Sequence, residues 1–280
     1  MTDYGHVGLT QFALMFLGLA IWILVPLALA LVWKFTKKEA FTTVLLGAAS
    51  FIVFVFILEK PIQNVLLFPT AMGLKDTPVS LFFNAHPVLL SFMAGLFPGL
   101  FEETGRLVLF KTLLRKRTQR ETSISYGIGH GGIEVMLILG LSYVNYIAYA
   151  LMINTGAFGQ LVDQIAAQAP EQLSQVPEIV ALLTNFSVGD LGINLVERIF
   201  AVMFHIGASV LVFYACKDKK KFWLYPLAVL IHTLMDGFVA LNLFGVISVS
   251  PWMLEVYVGI VGVLTFFGAY FLLYKKDTAK

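Results

Sequence analysis

Long apolar stretches alternate with short polar segments along the whole chain. Their lengths lie close to the roughly 20 residues that a helix needs to cross a hydrocarbon core about 30 Å thick. Hydropathy places them at approximately 8–33, 41–58, 87–114, 122–153, 191–216, 223–245 and 252–274. The pattern predicts an all-α fold, a polytopic membrane helix bundle with about seven transmembrane spans. Between two spans, residues 159–169 have apolar positions at helical spacing, which fits either a short helix at the membrane surface or a plain loop.

Composition excludes a soluble globular protein. Hydrophobic residues make up 59% of the 280 positions and charged residues 13%, against about 45–50% and about 25% in ordinary soluble domains. The single cysteine, Cys216, excludes an intramolecular disulfide. The net charge of +2 is carried by short basic clusters and not by a continuous basic stripe, so we expect no nucleic-acid partner.

The basic residues also predict the orientation of the chain. Most of the 19 Lys and Arg lie in four clusters, at 34–38, 111–120, 217–221 and 275–280, which follow every second span. By the positive-inside rule, the N-terminus lies outside and the C-terminus lies in the cytoplasm. We expect a multi-pass protein of the plasma membrane. We expect one integral membrane domain over 1–280. Its catalytic core lies at about 87–245, and spans 1, 2 and 7 are peripheral to this core. The sequence leaves the oligomeric state open.

Ten ionisable side chains inside the predicted spans are candidates for a functional role. A central Asp, Lys or Arg costs about 2.5–3.5 kcal/mol on insertion scales, so such residues persist when they face a partner or a water-filled cavity. The ten are Glu102, Glu103, Arg106, His130, Glu134, Glu197, Arg198, His205, His232 and Asp236. At a rise of about 1.5 Å per residue, the three histidines and the carboxylates of spans 3, 4 and 6 lie roughly 15–22 Å above the basic clusters. They therefore share one level of the bilayer.

Several of these residues share a helix face. Arg106 follows Glu102 by four residues and Glu103 by three, so it can contact either carboxylate and neutralise one of them. The other pairs four residues apart are His130 with Glu134 and His232 with Asp236. Glu197 and Arg198 are neighbours that point in different directions nearer the outside, which favours a structural or gating role.

Three histidines and several carboxylates at one depth match the ligands of zinc. Catalytic zinc takes three protein ligands and keeps one position for water. His130, His205 and His232 would supply the nitrogens. A metal-free site is also open, in which a glutamate activates water directly and the histidines stabilise an oxyanion.

The charged residues have distinct expected roles. Glu102 or Glu103 is placed to accept the proton of the attacking water. Asp236 or Glu134 would complete the metal's ligand set or orient a histidine through its second ring nitrogen. Together with Arg106, these four carboxylates are the candidate catalytic residues.

Glycines and a proline mark two of the candidate helices. The glycines around His130 are Gly127, Gly129, Gly131 and Gly132. They indicate either close approach of another helix or backbone access to a substrate or metal. Pro98 cannot donate to the Ala94 carbonyl, which predicts a kink or a loosened helix one turn before the glutamates.

The motifs resemble a known family. They are Glu102-Glu103-Thr-Gly-Arg106, Gly129-His130-Gly-Gly-Ile-Glu134, His205 in span 5 and His232-Thr-Leu-Met-Asp236. Over roughly residues 90–240 they resemble the YhfC-type intramembrane metalloproteases, relatives of the CAAX-processing and PrsW-type membrane proteases. Two residues separate Glu103 from Arg106, a spacing closer to the PrsW pattern than to the CAAX pattern.

The resemblance implies an intramembrane endopeptidase that acts on a membrane-embedded or membrane-associated protein substrate. It also implies Zn²⁺ as the cofactor and Glu102 as the residue that activates water. Two other functions stay open. Buried Glu, His and Asp also form the proton relays of proton- or ion-coupled transporters, and a degenerate site would suit a non-enzymatic binding or immunity-type membrane protein.

Overall fold

The computed structural model describes residues 4–277, which contain helices and no strand. The helices are α1 Leu9–Lys37, α2 Phe41–Leu67, α3 Pro78–Asn84, α4 Pro87–Lys111, α5 Glu121–Thr155, α6 Phe158–Gln168, α7 Val176–Thr184, α8 Val188–Lys217, α9 Leu224–Leu243 and α10 Pro251–Tyr274. Short π-helical stretches interrupt α2 at Ile52–Glu59 and α5 at Met136–Gly140. The predicted all-α fold is confirmed.

The helices have the length and composition of membrane spans. Within residues 4–277, six are long and apolar enough to cross a membrane, and a seventh span results if α3 and α4, which meet at 111°, count as one. The predicted bundle of about seven spans is therefore confirmed. The outside position of the N-terminus stays a prediction, and part of the last basic cluster lies beyond the described residues.

Two compact units divide the described chain. One contains the residues up to Leu27 with Val135–Val196, and the other contains Ala28–Glu134 with the residues from Glu197 on. In the first unit the Tyr143 ring packs edge-on against Trp22, and its hydroxyl accepts a hydrogen bond from Asn194. This unit includes α6, so the residues predicted at 159–169 do form a helix. The single membrane domain over the whole chain stays a prediction.

Glycines around His130 admit the neighbouring helices of the second unit. A Cβ on Gly129 would overlap the Val44 carbonyl oxygen of α2, and one on Gly127 would lie 2.6 Å from the Ile206 Cα of α8. Of the two explanations that the sequence left open, close helix approach therefore applies at these positions. As a result, the His130 side chain is fully buried.

Two more pairs of helices meet backbone to backbone. A Cβ on Gly95 of α4 would overlap the backbone nitrogen of Gly237 in α9. A Cβ on Gly262 of α10 would lie 2.6 Å from the Phe200 carbonyl oxygen of α8. These contacts set the distances between the helices that carry the polar residues.

A side chain of α2 compensates for the proline inside α4. The helix continues through Pro98, which has no N–H for the Ala94 carbonyl. Gln63 supplies the missing donor, because its Nε2 donates to the Ala94 oxygen at 3.3 Å. At the position where the sequence predicted a loosened helix, one backbone hydrogen bond is thus replaced by a hydrogen bond from the Gln63 side chain.

Candidate active site

The eight predicted site residues lie in the second unit, on four helices. Those helices are α4 with Glu102, Glu103 and Arg106, α5 with His130 and Glu134, α8 with His205, and α9 with His232 and Asp236. All are buried except Asp236, whose side chain is 35% exposed. The residues that the sequence placed at one level of the bilayer are therefore close neighbours in the fold.

Three of these residues form a compact group that could hold a metal ion. One ligand atom from each of Glu102, His130 and His205 lies within 4.8 Å of the other two. Glu102 Oε2 is 2.8 Å from His130 Nε2 and 3.8 Å from His205 Nδ1. Three helices thus each contribute one potential ligand.

The chemistry of this group fits a divalent metal. Two imidazoles and one carboxylate are a ligand set that catalytic zinc uses. His130 Nδ1 is buried and has no hydrogen-bond partner in the described chain. If this nitrogen carries the ring proton, the Nε2 lone pair faces the Glu102 oxygen, and a cation would satisfy both acceptors.

His232 lies beside this group and outside it. Its Nδ1 is 2.9 Å from Glu103 Oε1, and its Nε2 is 3.4 Å from Asp236 Oδ2. Both ring nitrogens therefore face carboxylates that do not belong to the compact group. The sequence predicted three histidines as nitrogen ligands, whereas a glutamate takes the third place in the group that the structure assembles.

Arg106 is fully buried among polar side chains. It donates to Glu103 Oε1 at 2.7 Å, to His205 Nδ1 at 2.7 Å and to Ser209 Oγ at 3.2 Å. Of the two carboxylates that the spacing offered, Arg106 pairs closely with Glu103, because Glu102 Oε2 is 3.8 Å away. Ser209 was not predicted, although it follows His205 at the same four-residue spacing that marked the other pairs.

Glu134 joins the group to a second arginine. Its Oε1 accepts a hydrogen bond from Arg198 at 3.1 Å, and its Oε2 contacts His205 Nε2. Arg198 also pairs with its neighbour Glu197. The arginine to which the sequence assigned a structural or gating role is therefore in contact with a candidate site residue.

A cavity of about 190 Å³ opens at these residues. Its polar lining consists of Glu102, Glu134, Glu197, Arg198, His205, His232 and Asp236, and its apolar lining of Ala201, Met235, Val239 and Val258. The volume is large enough for several water molecules. The candidate ligands Glu102 and His205 are thus accessible from a polar chamber.

Another buried carboxylate was missed by the sequence prediction. Glu59 ends the π-helical stretch of α2, and its side chain is 0% exposed. It pairs with Lys60 at 3.0 Å, and both lie just beyond the predicted span 41–58. π-helical stretches are frequent at functional sites, but hydropathy carries no signal for them.

The fold and the site define a multi-pass helical membrane protein with a buried glutamate–histidine group that can hold a metal. Comparison with known proteins gives the family. The chain belongs to the YhfC intramembrane metalloprotease family, whose model matches residues 21–258.

It is also similar to the uncharacterized membrane protein YhfC of Bacillus subtilis (strain 168), with 31% identity over 234 residues. The match covers 81% of this chain and 84% of that protein. No solved structure gives a significant match. The name of the family implies a metal and a proteolytic reaction, in agreement with the resemblance that the motifs carry.

Proposed function

We propose that this protein is an intramembrane endopeptidase that cleaves membrane-embedded or membrane-associated polypeptides. The observation that carries the proposal is the group of Glu102, His130 and His205 beside a polar cavity, within helices long enough to span a membrane. Ionisable side chains at such depth are costly and are retained mainly for function. The name of the family supports the same class of reaction.

In this proposal Glu102, His130 and His205 hold a divalent metal, with Zn²⁺ as the ion that suits two imidazoles and a carboxylate. A bound zinc would polarise the scissile carbonyl and activate a water molecule. Glu134 contacts the other nitrogen of His205 and so keeps the ring in the orientation that a ligand needs.

Glu103 and His232 carry out the proton transfer from the attacking water to the leaving amine. Glu103 accepts hydrogen bonds from Arg106 and, at 2.9 Å, from His232 Nδ1. This contact directs His232 Nε2 toward Asp236, and both residues line the cavity. Nε2 can take a proton from the attacking water and return it to the leaving amine, which is the role of imidazole in many hydrolases. Once Nε2 has taken the proton, Asp236 Oδ2, 3.4 Å away, can accept a hydrogen bond from it and stabilise the imidazolium until the proton passes to the amine.

The test uses purified protein in liposomes that contain fluorogenic transmembrane peptides of varied sequence. We expect the wild type to cleave at least one peptide, and we expect Glu102→Gln to lower the rate at least about a hundredfold. Glu178→Gln is the matched control, because it changes an exposed glutamate of α7 that does not line the cavity in the described chain. This control should cleave at the wild-type rate.

Equal cleavage by the wild type and Glu102→Gln would contradict the proposal. A proton or ion flux from the wild-type protein, without cleavage of any peptide, would favour the transporter. Full biological activity of Glu102→Gln in cells would favour the non-enzymatic binding protein.

A further inference from the structure

The Arg106 guanidinium has 0% exposure and is held from three sides. One of its terminal nitrogens donates to Glu103 at 2.7 Å, and Nε donates to Ser209 at 3.2 Å. The other terminal nitrogen donates to His205 Nδ1 at 2.7 Å. This last hydrogen bond concerns a residue of the proposed metal site.

The hydrogen bond determines which nitrogen of His205 carries the ring proton. A guanidinium stays charged and can only donate, so His205 Nδ1 must accept with its lone pair. The proton of the neutral ring is then on Nε2, which contacts the Glu134 carboxylate. Nδ1 therefore carries the one ring lone pair of His205 that can accept a hydrogen bond, and it accepts this bond from Arg106.

A metal would need the same lone pair. Nδ1 is the His205 nitrogen that lies 3.8 Å from Glu102 Oε2, and so it is the atom that faces the other ligands. The guanidinium is also a cation, with Nη1 at 3.8 Å from the same Glu102 oxygen. Repulsion between two cations at such distances is weakly screened in a buried site.

We propose that Arg106 competes with the metal for His205 Nδ1, so that metal binds only when the guanidinium leaves that nitrogen. This inference rests on the metal site of the proposed function. Arg106 retains Glu103 of its own helix as a partner when it withdraws from His205 and Ser209 of α8, so the buried ion pair survives the exchange.

A purely structural role for Arg106 leads to the opposite expectation. If the arginine only supports the ligands through Glu103, its removal loosens the site and weakens metal binding. If it competes for His205, its removal strengthens metal binding. The sign of the change in affinity therefore distinguishes the two roles.

The experiment measures zinc binding by titration calorimetry and by elemental analysis, on protein purified without immobilised metal. Glu103→Gln is compared with the double variant Glu103→Gln/Arg106→Gln, because the second change then leaves no unpaired buried carboxylate at position 103. Ser209→Ala removes one anchor of the guanidinium and leaves every candidate ligand in place. Its matched control is Ser91→Ala, a buried serine of α4 that, like Ser209, bonds the carbonyl four residues before it.

We expect the double variant to bind zinc about tenfold more tightly than Glu103→Gln, the change expected when a charge-assisted hydrogen bond no longer competes. Ser209→Ala should bind about two- to threefold more tightly than the wild type, and Ser91→Ala should be unchanged. If the double variant does not fold, the comparison between the two serine variants decides alone.

Equal or weaker zinc binding by the double variant and Ser209→Ala would overturn the inference, and so would the absence of zinc binding by all the proteins. Absence of zinc binding would also remove the zinc from the proposed function, whereas the proposed proteolysis fails separately if cleavage is unaffected by Glu102→Gln.

Discussion

Arg198 donates to Glu134 at 3.1 Å and thereby joins α8 to α5 beside the cavity. Both side chains are 12% exposed, so the pair is largely removed from water. The same glutamate contacts His205 Nε2. The orientation of a proposed metal ligand therefore depends on an arginine that itself is no ligand.

Loss of this arginine should destabilise the protein. Arg198→Gln leaves the Glu134 carboxylate without its cation, which we expect to lower the free energy of unfolding by about 2–3 kcal/mol. The double variant Arg198→Gln/Glu134→Gln should recover part of the loss, because position 134 then carries no unpaired charge. Denaturant titrations in detergent measure both values. Strictly additive costs would mean that the two side chains do not interact.

The structure and the sequence make different predictions for metal content. His130→Ala and His205→Ala should lose bound zinc, whereas His232→Ala should retain it and lose at least about a hundredfold in cleavage rate. His6→Ala, an exposed histidine, serves as the control. Elemental analysis and the liposome assay give the two readouts. Equal zinc loss from His232→Ala would restore the three-histidine ligand set.

The contact between α2 and α5 should tolerate no side chain at Gly129. Gly129→Ala places a Cβ against the Val44 carbonyl oxygen, and we expect a cost of about 1–3 kcal/mol in unfolding free energy. Gly268→Ala of α10 meets no atom within 4 Å and should be neutral or stabilising by up to about 1 kcal/mol. Denaturant unfolding in detergent measures both variants. Similar unfolding midpoints for the two would contradict the close approach of α2 and α5 at Gly129.

The hydrogen bond that Gln63 donates to the Ala94 carbonyl can be tested together with Pro98, whose missing N–H it replaces. Gln63→Leu leaves the partly buried Ala94 carbonyl without a donor and should cost about 1–2 kcal/mol. Adding Pro98→Ala restores a backbone N–H to that carbonyl, so the double variant should regain most of the loss. Thermal unfolding of the three proteins measures the effect. A further loss in the double variant would show that Pro98 is needed for another reason.

The orientation in the membrane follows from charge alone and is open to a direct measurement. A reporter that is active only in the cytoplasm should be active when fused after residue 280 and inactive when fused before residue 1. Reporters fused within 111–120 and 217–221 should also be active. Activity of the N-terminal fusion would reverse the prediction.

The spans were predictable because lipid demands a long apolar segment whatever its neighbours are. Predicted spans 191–216 and 252–274 differ from α8 and α10 by at most three residues at either end. The end of α2 was placed too early because Glu59 and Lys60 read as a polar boundary, whereas they pair with each other and the helix continues to Leu67. The short helix α3 has no hydropathy signal of its own.

The polar faces of the site were predictable from spacing along single helices, but the pairing between helices was not. Arg106 had two glutamates within one turn, and the tertiary position of His205 and Ser209 decides where the guanidinium points. Depth alone cannot distinguish neighbours from direct partners, so the sequence did not indicate that His232 Nδ1 lies 2.9 Å from Glu103 Oε1. The ligand role of His232 stays a prediction.

The glycine contacts described above also bear on how a substrate of the proposed endopeptidase would reach the cavity. Two helices in direct backbone contact, as at Gly95 and Gly237, cannot open a gap between them by rotating a side chain. Between α9 and α10, by contrast, the rings of Phe238 and Tyr257 meet at 4.2 Å between centroids. Rings can turn while their helices stay in place. If a substrate enters the cavity laterally from the lipid, we therefore expect it to pass between α9 and α10, at Phe238 and Tyr257.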